Sequence, residues 1–410
     1  MHSANRTRTV LTLGTAQTLA WASSYYLPAI LAVPMARELG ISTATVFAAF
    51  SVGLVISAFV GPRAGRAIDA LGGRPVLALS NLVFAAGLVG LAFCTGRWGL
   101  FAAWMLMGLG MAGGLYEAAF ATLVRLYGRD SRNVITGITL IAGFASTVGW
   151  PLSSALEGWL GWRDTCLVWA ALHLLLGLPL NLSLPKLLPH DAPQMSPSAA
   201  QAYALQTSAS GTQADTVSAS PAPVPLRSAV LLSLVFALTW FISTAMAAHL
   251  PTLLTASGVG LSMAVTAGAL IGPAQVAGRL LEFGVLRRAH PLLSARLAAV
   301  LHPLGALALL LLGPVAAMLF AVLHGAGNGV LTIAKGTLPL ALFGPQGYGE
   351  RQGLLMVPAR LAQALAPWLF GLCVAHLGAA ALWVSAALGC LVVLALWLLA
   401  QTPPPSGPDA

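Results

Sequence analysis

Three ionisable side chains interrupt apolar stretches of this 410-residue chain: Glu117, Lys335 and Arg360. A charge in the middle of a bilayer costs about 2.5–3.5 kcal/mol on insertion scales, so such a residue is by default paired or functional. Glu117 follows a Gly-x-Gly string at 108–110, and Lys335 follows a matching string at 325–327. The spacing between the two strings puts Lys335 one residue away from the counterpart of Glu117. An acid and a base are therefore predicted at nearly the same depth of two equivalent segments.

These three charges could serve proton coupling or anion binding. Loss of water favours the neutral form of a buried carboxyl, and a nearby cation favours its charged form. A movement that separates Glu117 from Lys335 would let Glu117 take up a proton, which makes Glu117 the candidate proton-coupling group. Lys335 and Arg360 could instead bind an anionic group of a solute. The alternatives are a static ion pair, or side chains that reach the membrane face, since Arg125 lies only about 12 Å along the helix from Glu117.

Two other apolar segments carry a face of mixed aromatic and polar side chains. Gln17, Trp21 and Tyr25 share one helical face by their spacing, and Trp240 and Thr244 do so in a later segment. Such a mixture suits the wall of a cavity for organic solutes. Packing between helices, or an aromatic belt at the membrane interface, is the alternative explanation. The predicted cavity residues are Gln17, Trp21, Tyr25, Glu117, Trp240, Thr244, Asn328, Lys335 and Arg360.

The composition excludes an ordinary soluble domain. Hydrophobic residues make up 58% of the chain and charged residues 8%, whereas soluble domains carry about 25% charged residues. The formal net charge of +9 is explained better by loop arginines that orient membrane helices than by nucleic-acid binding. The four cysteines form no paired motif, and no nucleophile cluster, metal-ligand cluster or nucleotide-binding string occurs. We therefore expect a membrane protein that is not an enzyme, has no cofactor or metal, and does not hydrolyse ATP.

Apolar segments of the length that crosses a bilayer, about 20 residues each, occur twelve times. Two sets of six flank a segment rich in Pro, Ser, Ala, Gln and Thr, a composition that cannot bury a core. This pattern predicts an all-α membrane protein with a six-helix bundle at 1–184, a flexible cytoplasmic linker at 185–227, a second six-helix bundle at 228–400 and a disordered tail at 401–410. The predicted spans are 10–33, 43–62, 75–95, 99–124, 134–157, 163–184, 228–250, 261–283, 292–312, 315–342, 352–372 and 378–400.

The arginines and lysines predict the orientation. Fifteen of them fall on the side of both termini and three on the opposite side, and basic residues are enriched in cytoplasmic loops. Both termini are therefore predicted to be cytoplasmic. The first apolar run follows Arg6 and Arg8 and so imitates a secretory signal, but its length favours a retained transmembrane helix.

One short string occurs twice, about half the chain apart. The string GRAID at 65–69 and the string GRLLE at 278–282 each follow an apolar run that ends in Gly-Pro. A Leu-Pro pair at 27–28 likewise recurs at 250–251 with nearly the same offset. Such pairs indicate an internal duplication. Proteins with two similar helical halves in a membrane are usually transporters, with the solute site between the halves.

The string Gly65-x-x-x-Asp69-x-x-Gly72-Gly73-Arg74 resembles the loop 2–3 signature of the major facilitator superfamily. The span count, the duplication and the long central loop extend this resemblance to the whole chain. The resemblance implies that helices 1, 4, 7 and 10 line a central cavity, so that the acid and the base described above could face each other across the solute path.

Three positions depart from patterns that this superfamily often shows. The signature's basic residue just after the acid is Ala70, and the arginine common in helix 4 is replaced by Trp104. The Gly-Pro string of many proton antiporters reads Gly-Trp-Pro at 149–151. Each departure weakens the resemblance to drug–proton antiporters.

The resemblance implies a gating role for the acid of each repeat. Asp69 is expected at the N-terminus of helix 11, near Gln352, where unpaired N–H groups and the helix dipole attract a carboxylate. The duplication suggests the same contact between Glu282 and the start of helix 5. Such contacts would hold the cytoplasmic side shut, whereas the alternative is that Asp69 pairs with Arg66 or Arg74 in a solvated loop. The predicted gating residues are Gly65, Asp69, Gly72, Gly73, Arg74, Gly278, Arg279 and Glu282.

The predicted function is secondary active transport of a small organic solute by alternating access. Proton-coupled export is the leading hypothesis, and an organic-anion carrier or an uptake symporter is the alternative. A membrane receptor or scaffold that keeps the fold without transport is the alternative from another class. The predicted partners are the solute, protons and the lipid bilayer, without nucleic acid, and the protein is predicted to act as a monomer in a bacterial inner membrane.

Overall fold

The computed structural model describes residues 2–186 and 225–399, which form helices and, in these two ranges, no strands. Eight continuous helical stretches are apolar enough to cross a membrane. Three of them, of 86, 53 and 51 residues, far exceed the ~20 residues that one crossing needs, and they contain three, two and two spans. The described ranges therefore hold twelve spans, and the predicted all-α fold is confirmed. Most of the predicted linker and the predicted tail at 401–410 lie outside the described residues.

The first half contains several broken spans. Spans 1 and 4 are each formed by two helices. Spans 5 and 6 share one long helix, which bends at Gly161, where φ is 83°. Its helices are α1 (His2–Ser23), α2 (Pro28–Glu38), α3 (Thr43–Leu71), α4 (Gly73–Phe93), α5 (Arg97–Gly114), α6 (Tyr116–Tyr127), α7 (Arg132–Ala142), α8 (Ala145–Leu172) and α9 (Leu178–Leu182).

The second half is more regular, because each of its spans is a single helix. Proline occurs inside five of these six helices without ending them, as neighbouring groups in a membrane bundle can satisfy the freed backbone groups. Its helices are α10 (Leu226–Ala256), α11 (Leu261–Gly284), α12 (Pro291–Leu312), α13 (Ala317–Phe343), α14 (Tyr348–Leu377) and α15 (Ala381–Leu398).

The fourth span, predicted as one helix over 99–124, is broken in the middle. Leu115 has an extended backbone, with φ −92° and ψ −169°, so α5 ends at Gly114 and α6 begins at Tyr116. The Gln17 side-chain amide of α1 donates to the carbonyl oxygen of Gly114 at 2.7 Å. This contact supplies a partner for a backbone group that a continuous helix would have bonded itself. The prediction of an unbroken helix is wrong because the apolar pattern continues across the break.

The duplication is visible in how the helices cross. A Cβ on Gly108 of α5 would collide with the backbone of Gly53 in α3, and a Cβ on Gly325 of α13 would collide with Ile271 in α11. Both crossings bring the fourth helix of a half against its second helix at a glycine. Close helix approach at small residues is the usual way in which membrane helices pack. The paired Gly-x-Gly strings therefore mark equivalent crossings in the two halves.

Candidate transport site and gate

Glu117 lies at the seam between the halves and forms an ion pair there. It falls in the first turn of α6, where the positive end of the helix dipole favours a carboxylate. Its Oε2 accepts a hydrogen bond from Arg360 Nη2 of α14 at 2.8 Å, and the two side chains are 17% and 4% exposed. Arg360 Nη1 also donates to Gln363 Oε1 at 3.0 Å. The sequence predicted that Glu117 and Lys335 could face each other at nearly the same depth, and it did not predict that Arg360 is the residue at ion-pair distance from Glu117.

Lys335 is buried next to this pair without a carboxylate at ion-pair distance in the described ranges. It is 5% exposed, and its Nζ lies 3.9 Å from the centre of the Trp240 ring. No carboxylate oxygen in the described ranges lies within 4 Å of that ammonium. The Arg360 guanidinium lies 5.6 Å from the same ring. The indole supports these two cations by cation–π attraction. The buried guanidinium of Arg279 also acts electrostatically on Lys335, so the cations here outnumber the one carboxylate, Glu117.

A narrow cavity reaches this group of charges from within the seam. Its walls come from α3, α5, α6 and α14, and include Ser57, Glu117, Gly353, Met356 and Arg360. Its interior is just large enough for a water molecule. The cavity therefore has room for one water molecule beside the ion pair.

Aromatic side chains from both halves close over the charges. Trp21 of α1 and Trp240 of α10 lie parallel, with ring centres 6.2 Å apart and an interplanar angle of 6°. Tyr116 lies 4.9 Å from Trp21, and the hydroxyl of Tyr25 lies 3.4 Å from that of Thr244. Four of the predicted cavity residues thus meet at the seam. Tyr116 was not predicted, although its place directly before the buried acid could have suggested it.

Asn328 lies elsewhere. It lines a cavity inside the second half, between α10, α12, α13 and α15, together with His302 and His324. The two imidazoles contact each other through their Nδ1 atoms at 2.9 Å. The structure therefore separates Asn328 from the other predicted cavity residues, because sequence spacing alone does not say which side of a helix faces the seam.

Asp69 caps the first turn of α14 across the seam. Its two carboxylate oxygens accept hydrogen bonds from the backbone N–H groups of Gly349 and Glu350, both at 2.9 Å. The helix begins at Tyr348, four residues before the predicted start, so the contact is made one turn earlier than expected. Arg66 forms an ion pair with Glu350 at 3.3 Å and not with Asp69. This geometry joins the loop signature of the first half to a helix of the second half.

The counterpart in the second half uses a side chain and not a helix end. Glu282 Oε1 accepts a hydrogen bond from Arg132 Nη2, the first residue of α7, at 2.6 Å. Arg279 Nη1 donates to the carbonyl oxygen of Thr139 at 3.1 Å. The prediction that Glu282 binds the backbone at the start of helix 5 is wrong in that detail, because its Oε1 binds the Arg132 side chain and its Oε2 has no hydrogen-bond partner. The two halves are nevertheless joined at both repeats on one face, which we call the Asp69 face.

Most of the remaining predicted gating residues are glycines that allow a tight turn or a close approach of helices at this face. Gly72 turns the chain between α3 and α4 with φ 80°, and a Cβ on Gly73 would collide with Thr122 of α6. A Cβ on Gly278 would collide with the backbone of Ala326 in α13. Arg74 lines a surface pocket together with Lys186 and makes no ion pair in the described ranges. Four of the predicted gating residues contact the opposite half. They are Asp69, Arg279 and Glu282 through hydrogen bonds, and Gly65 through its close approach to Gly349.

The sequence and the fold both have relatives. The sequence model of the Major Facilitator Superfamily matches residues 13–319. A stretch of 156 residues is 31% identical to an uncharacterized 38 kDa protein in the 23S RNA operon of Thermoproteus tenax, and it covers 37% of this chain and 40% of that protein. The chain thus matches less than half of the length of this relative.

Solved structures with the same fold cover nearly the whole chain. The fucose:proton symporter FucP of E. coli matches with a TM-score of 0.70 at 14% identity, over 96% of this chain and 98% of that one. The proton:xylose symporter XylE matches with a TM-score of 0.72 at 13% identity, over 97% and 96%. The human organic anion transporter MFSD10 (TETRAN) matches with a TM-score of 0.64 at 20% identity, over 95% and 99%. Since the fold and the family match agree over most of its length, the chain belongs to the Major Facilitator Superfamily.

Proposed function

We propose that the protein is a secondary active transporter of a small organic anion, and that Glu117 couples transport to protons. The observation that carries this proposal is the charge balance at the seam. Glu117 neutralises Arg360, while Lys335 is buried beside them without a carboxylate partner in the described ranges. A buried charge without a counter-ion is costly. An anionic solute that binds here would remove this cost.

Protonation of Glu117 would link the proton to the solute. A neutral carboxyl no longer holds Arg360, so both cations become available to an anion. An anion that binds first competes with the carboxylate for Arg360 and so favours its protonation. Coupling of this kind is reciprocal: the proton raises the affinity for the anion by the factor by which the anion raises the affinity for the proton. The proton and the anion would therefore move together.

The same charge balance bears on the other candidate functions. Counter-transport, in which a proton displaces the solute from a carboxylate, suits a cationic solute, which would here add positive charge to a site that already has an excess. Symport of an anion lowers that excess. The fold is compatible with this proposal, since an organic anion transporter and two proton symporters share it. A single chain contributes all of the charged residues, which fits a carrier that acts as a monomer.

Alternating access would use the contacts of the Asp69 face as a gate. If both termini are cytoplasmic, as the basic residues indicate, this face is the cytoplasmic one. The Asp69 cap on α14 and the Glu282–Arg132 pair then close the carrier to the cytoplasm. Opening towards the cytoplasm would break both contacts and separate α3 from α14. A bacterial inner membrane is the proposed location.

The test uses purified protein in liposomes and three aromatic probes of similar size but different charge: benzenesulfonate, the neutral benzenesulfonamide and benzyltrimethylammonium. A sulfonate keeps its charge at any pH, so an effect of the pH gradient on its uptake must come from the protein. We expect an inward proton gradient to drive the uptake of benzenesulfonate alone. Preferential flux of the cation, or binding of the anion without any flux, would contradict an anion symporter. Empty liposomes report leakage.

A further inference from the structure

Two parallel indoles face each other across the seam, one from each half. Trp21 and Trp240 have ring centres 6.2 Å apart and ring planes inclined by 6°. A planar ring inserted between two others needs about 7 Å, since carbon contact distances are about 3.5 Å on each side. The distance between ring centres is the upper limit of the separation of the ring planes, so a ring enters only after the two halves have moved apart. Because the two indoles belong to different halves, rocking of the halves changes this spacing directly.

Both indoles are buried with an unused hydrogen-bond donor. Trp21 is 3% and Trp240 is 9% exposed, and neither Nε1 has a partner in the structure. Buried indole N–H groups normally find an acceptor. The Gln17 Oε1 oxygen and the Gln363 Nε2 nitrogen are also buried without partners. The two indole N–H groups are therefore available to polar atoms of a bound solute.

The cations lie against one of the same rings. Lys335 Nζ is 3.9 Å and the Arg360 guanidinium 5.6 Å from the centre of the Trp240 ring. A solute with an anionic group on a flat ring would therefore find cations for the anionic group and indoles for the ring at the same place. The site has more cations than carboxylates, which favours an anionic solute.

We infer that the transported anion is a planar aromatic anion, whose ring inserts between Trp21 and Trp240 while its anionic group binds Lys335 and Arg360. This inference rests on the proposed anion transport and adds the solute class. A saturated ring of equal charge and similar volume fills the gap less well, because it is thicker than an aromatic ring and cannot stack face to face. The site therefore distinguishes flat rings from puckered rings at equal charge.

The test measures binding by calorimetry and by thermal stabilisation for matched pairs of carboxylates. The pairs are benzoate with cyclohexanecarboxylate, 3-phenylpropionate with 3-cyclohexylpropionate, and 2-naphthoate with its fully saturated counterpart. We expect the aromatic member to bind about three- to tenfold more tightly in at least one pair, as stacking adds to the burial of apolar area. Equal affinities within all three pairs would overturn the aromatic inference and leave anion transport standing. No binding by any member would count against both.

Variants separate stacking from a structural role. Trp21→Leu should remove the preference for the aromatic member, whereas Trp21→Phe, which keeps a flat ring, should retain it. Trp98→Leu is the matched control, because Trp98 is 74% exposed and lies away from the seam. Lys335→Met should weaken both members of a pair equally. If Trp21→Leu lowers the affinity for both members by the same factor, the indole pair only supports packing and the inference is wrong. The preference is a ratio within one variant, so partial misfolding does not alter it.

Discussion

Glu117 of α6 and Arg360 of α14 form an ion pair that joins the two halves of the protein at 2.8 Å. The carboxylate is 17% exposed and the guanidinium 4%, so the acid is the member of the pair that water can reach. The narrow cavity of the seam ends at this acid. A proton could thus arrive at Glu117 while Arg360 stays buried. Breaking this pair both frees a cation for the solute and removes one connection between the halves.

Glu117→Gln should uncouple transport from the proton gradient. A glutamine cannot take up a proton, so Arg360 and Lys335 stay available to the anion at every pH. We expect gradient-driven accumulation of benzenesulfonate to be lost, while exchange of external for internal benzenesulfonate continues. Liposome flux with and without a pH gradient measures both. Glu157→Gln, which changes an acid of α8 that forms no ion pair in the described ranges, is the matched control. Gradient-driven accumulation by Glu117→Gln would remove Glu117 from the coupling role.

The ion pair between Glu117 and Arg360 should also contribute to the free energy of unfolding. Removing one member of a buried pair costs about 3–5 kcal/mol, and the partial exposure of Glu117 lowers this value. We expect Arg360→Gln and Glu117→Gln each to lower the unfolding temperature, and the double variant to lose less than the two single losses together. The coupling energy should be about 1–3 kcal/mol. Strict additivity in this double-mutant cycle would mean that the pair contributes no net stability.

Lys335→Met should act on stability and binding in opposite directions. Without ligand, the variant removes a buried cation that has no counter-ion, so we expect it to be as stable as the wild type or more stable. Loss of one member of a solute–cation pair should weaken anion binding by about 30-fold or more. Calorimetry with benzoate and a thermal melt without ligand check the two effects. Lys186→Met, at a surface pocket, should change neither, and unchanged benzoate affinity in Lys335→Met would refute the role of the lysine.

Gly65→Ala should open the Asp69 face. A Cβ at Gly65 would collide with the backbone of Gly349 in α14, whereas a Cβ at Gly61, one turn earlier in the same helix, meets nothing within 4 Å. Gly61→Ala is therefore a matched control that gains the same helix propensity, about 1 kcal/mol. Spin labels at Arg63 and Gln346, on either side of this contact, should move apart in Gly65→Ala and not in Gly61→Ala. Identical distance distributions in both variants would mean that the contact does not hold the face closed.

Asp69→Ala should shift the same equilibrium by a smaller amount. The substitution removes the two hydrogen bonds to the first turn of α14, and loss of such a cap costs about 0.5–2 kcal/mol. We expect the labels at Arg63 and Gln346 to report a larger open population than in the wild type. Glu350→Gln, which removes only the exposed pair with Arg66, should have little effect. An open population in Glu350→Gln that equals the one in Asp69→Ala would assign the gate to that surface pair.

Much of this architecture follows from the sequence because it is periodic and repeated. The apolar runs gave all twelve spans, and the repeated glycine strings located equivalent helix crossings. The sequence identified Glu117, Lys335 and Arg360 as candidate site residues, because a charge inside an apolar run is usually either paired or functional. Asp69 was expected against helix 11 through the resemblance, and the structure shows the carboxylate on that helix end.

What the sequence did not predict depends on three-dimensional contacts between distant segments. The break at Leu115 is hidden because apolar residues continue on both sides, and the amide of Gln17 that supports it comes from another helix. Duplication placed Lys335 at the depth of Glu117, but it could not predict the ion pair with Arg360, which lies on a helix that the duplication does not pair with α6. The rotation of a helix about its axis decides such contacts, and neither hydrophobic period nor residue type fixes that rotation to the required accuracy.

The central claim is that an anion and a proton bind together through Glu117. Calorimetry of benzenesulfonate binding, repeated in buffers with different heats of ionisation, counts the protons taken up per anion. Because the probe itself does not titrate, uptake must come from the protein. We predict about one proton per anion in the wild type, at a pH where Glu117 is charged before binding, and none in Glu117→Gln. Binding without proton uptake in the wild type, or equal uptake in the variant, would contradict the account.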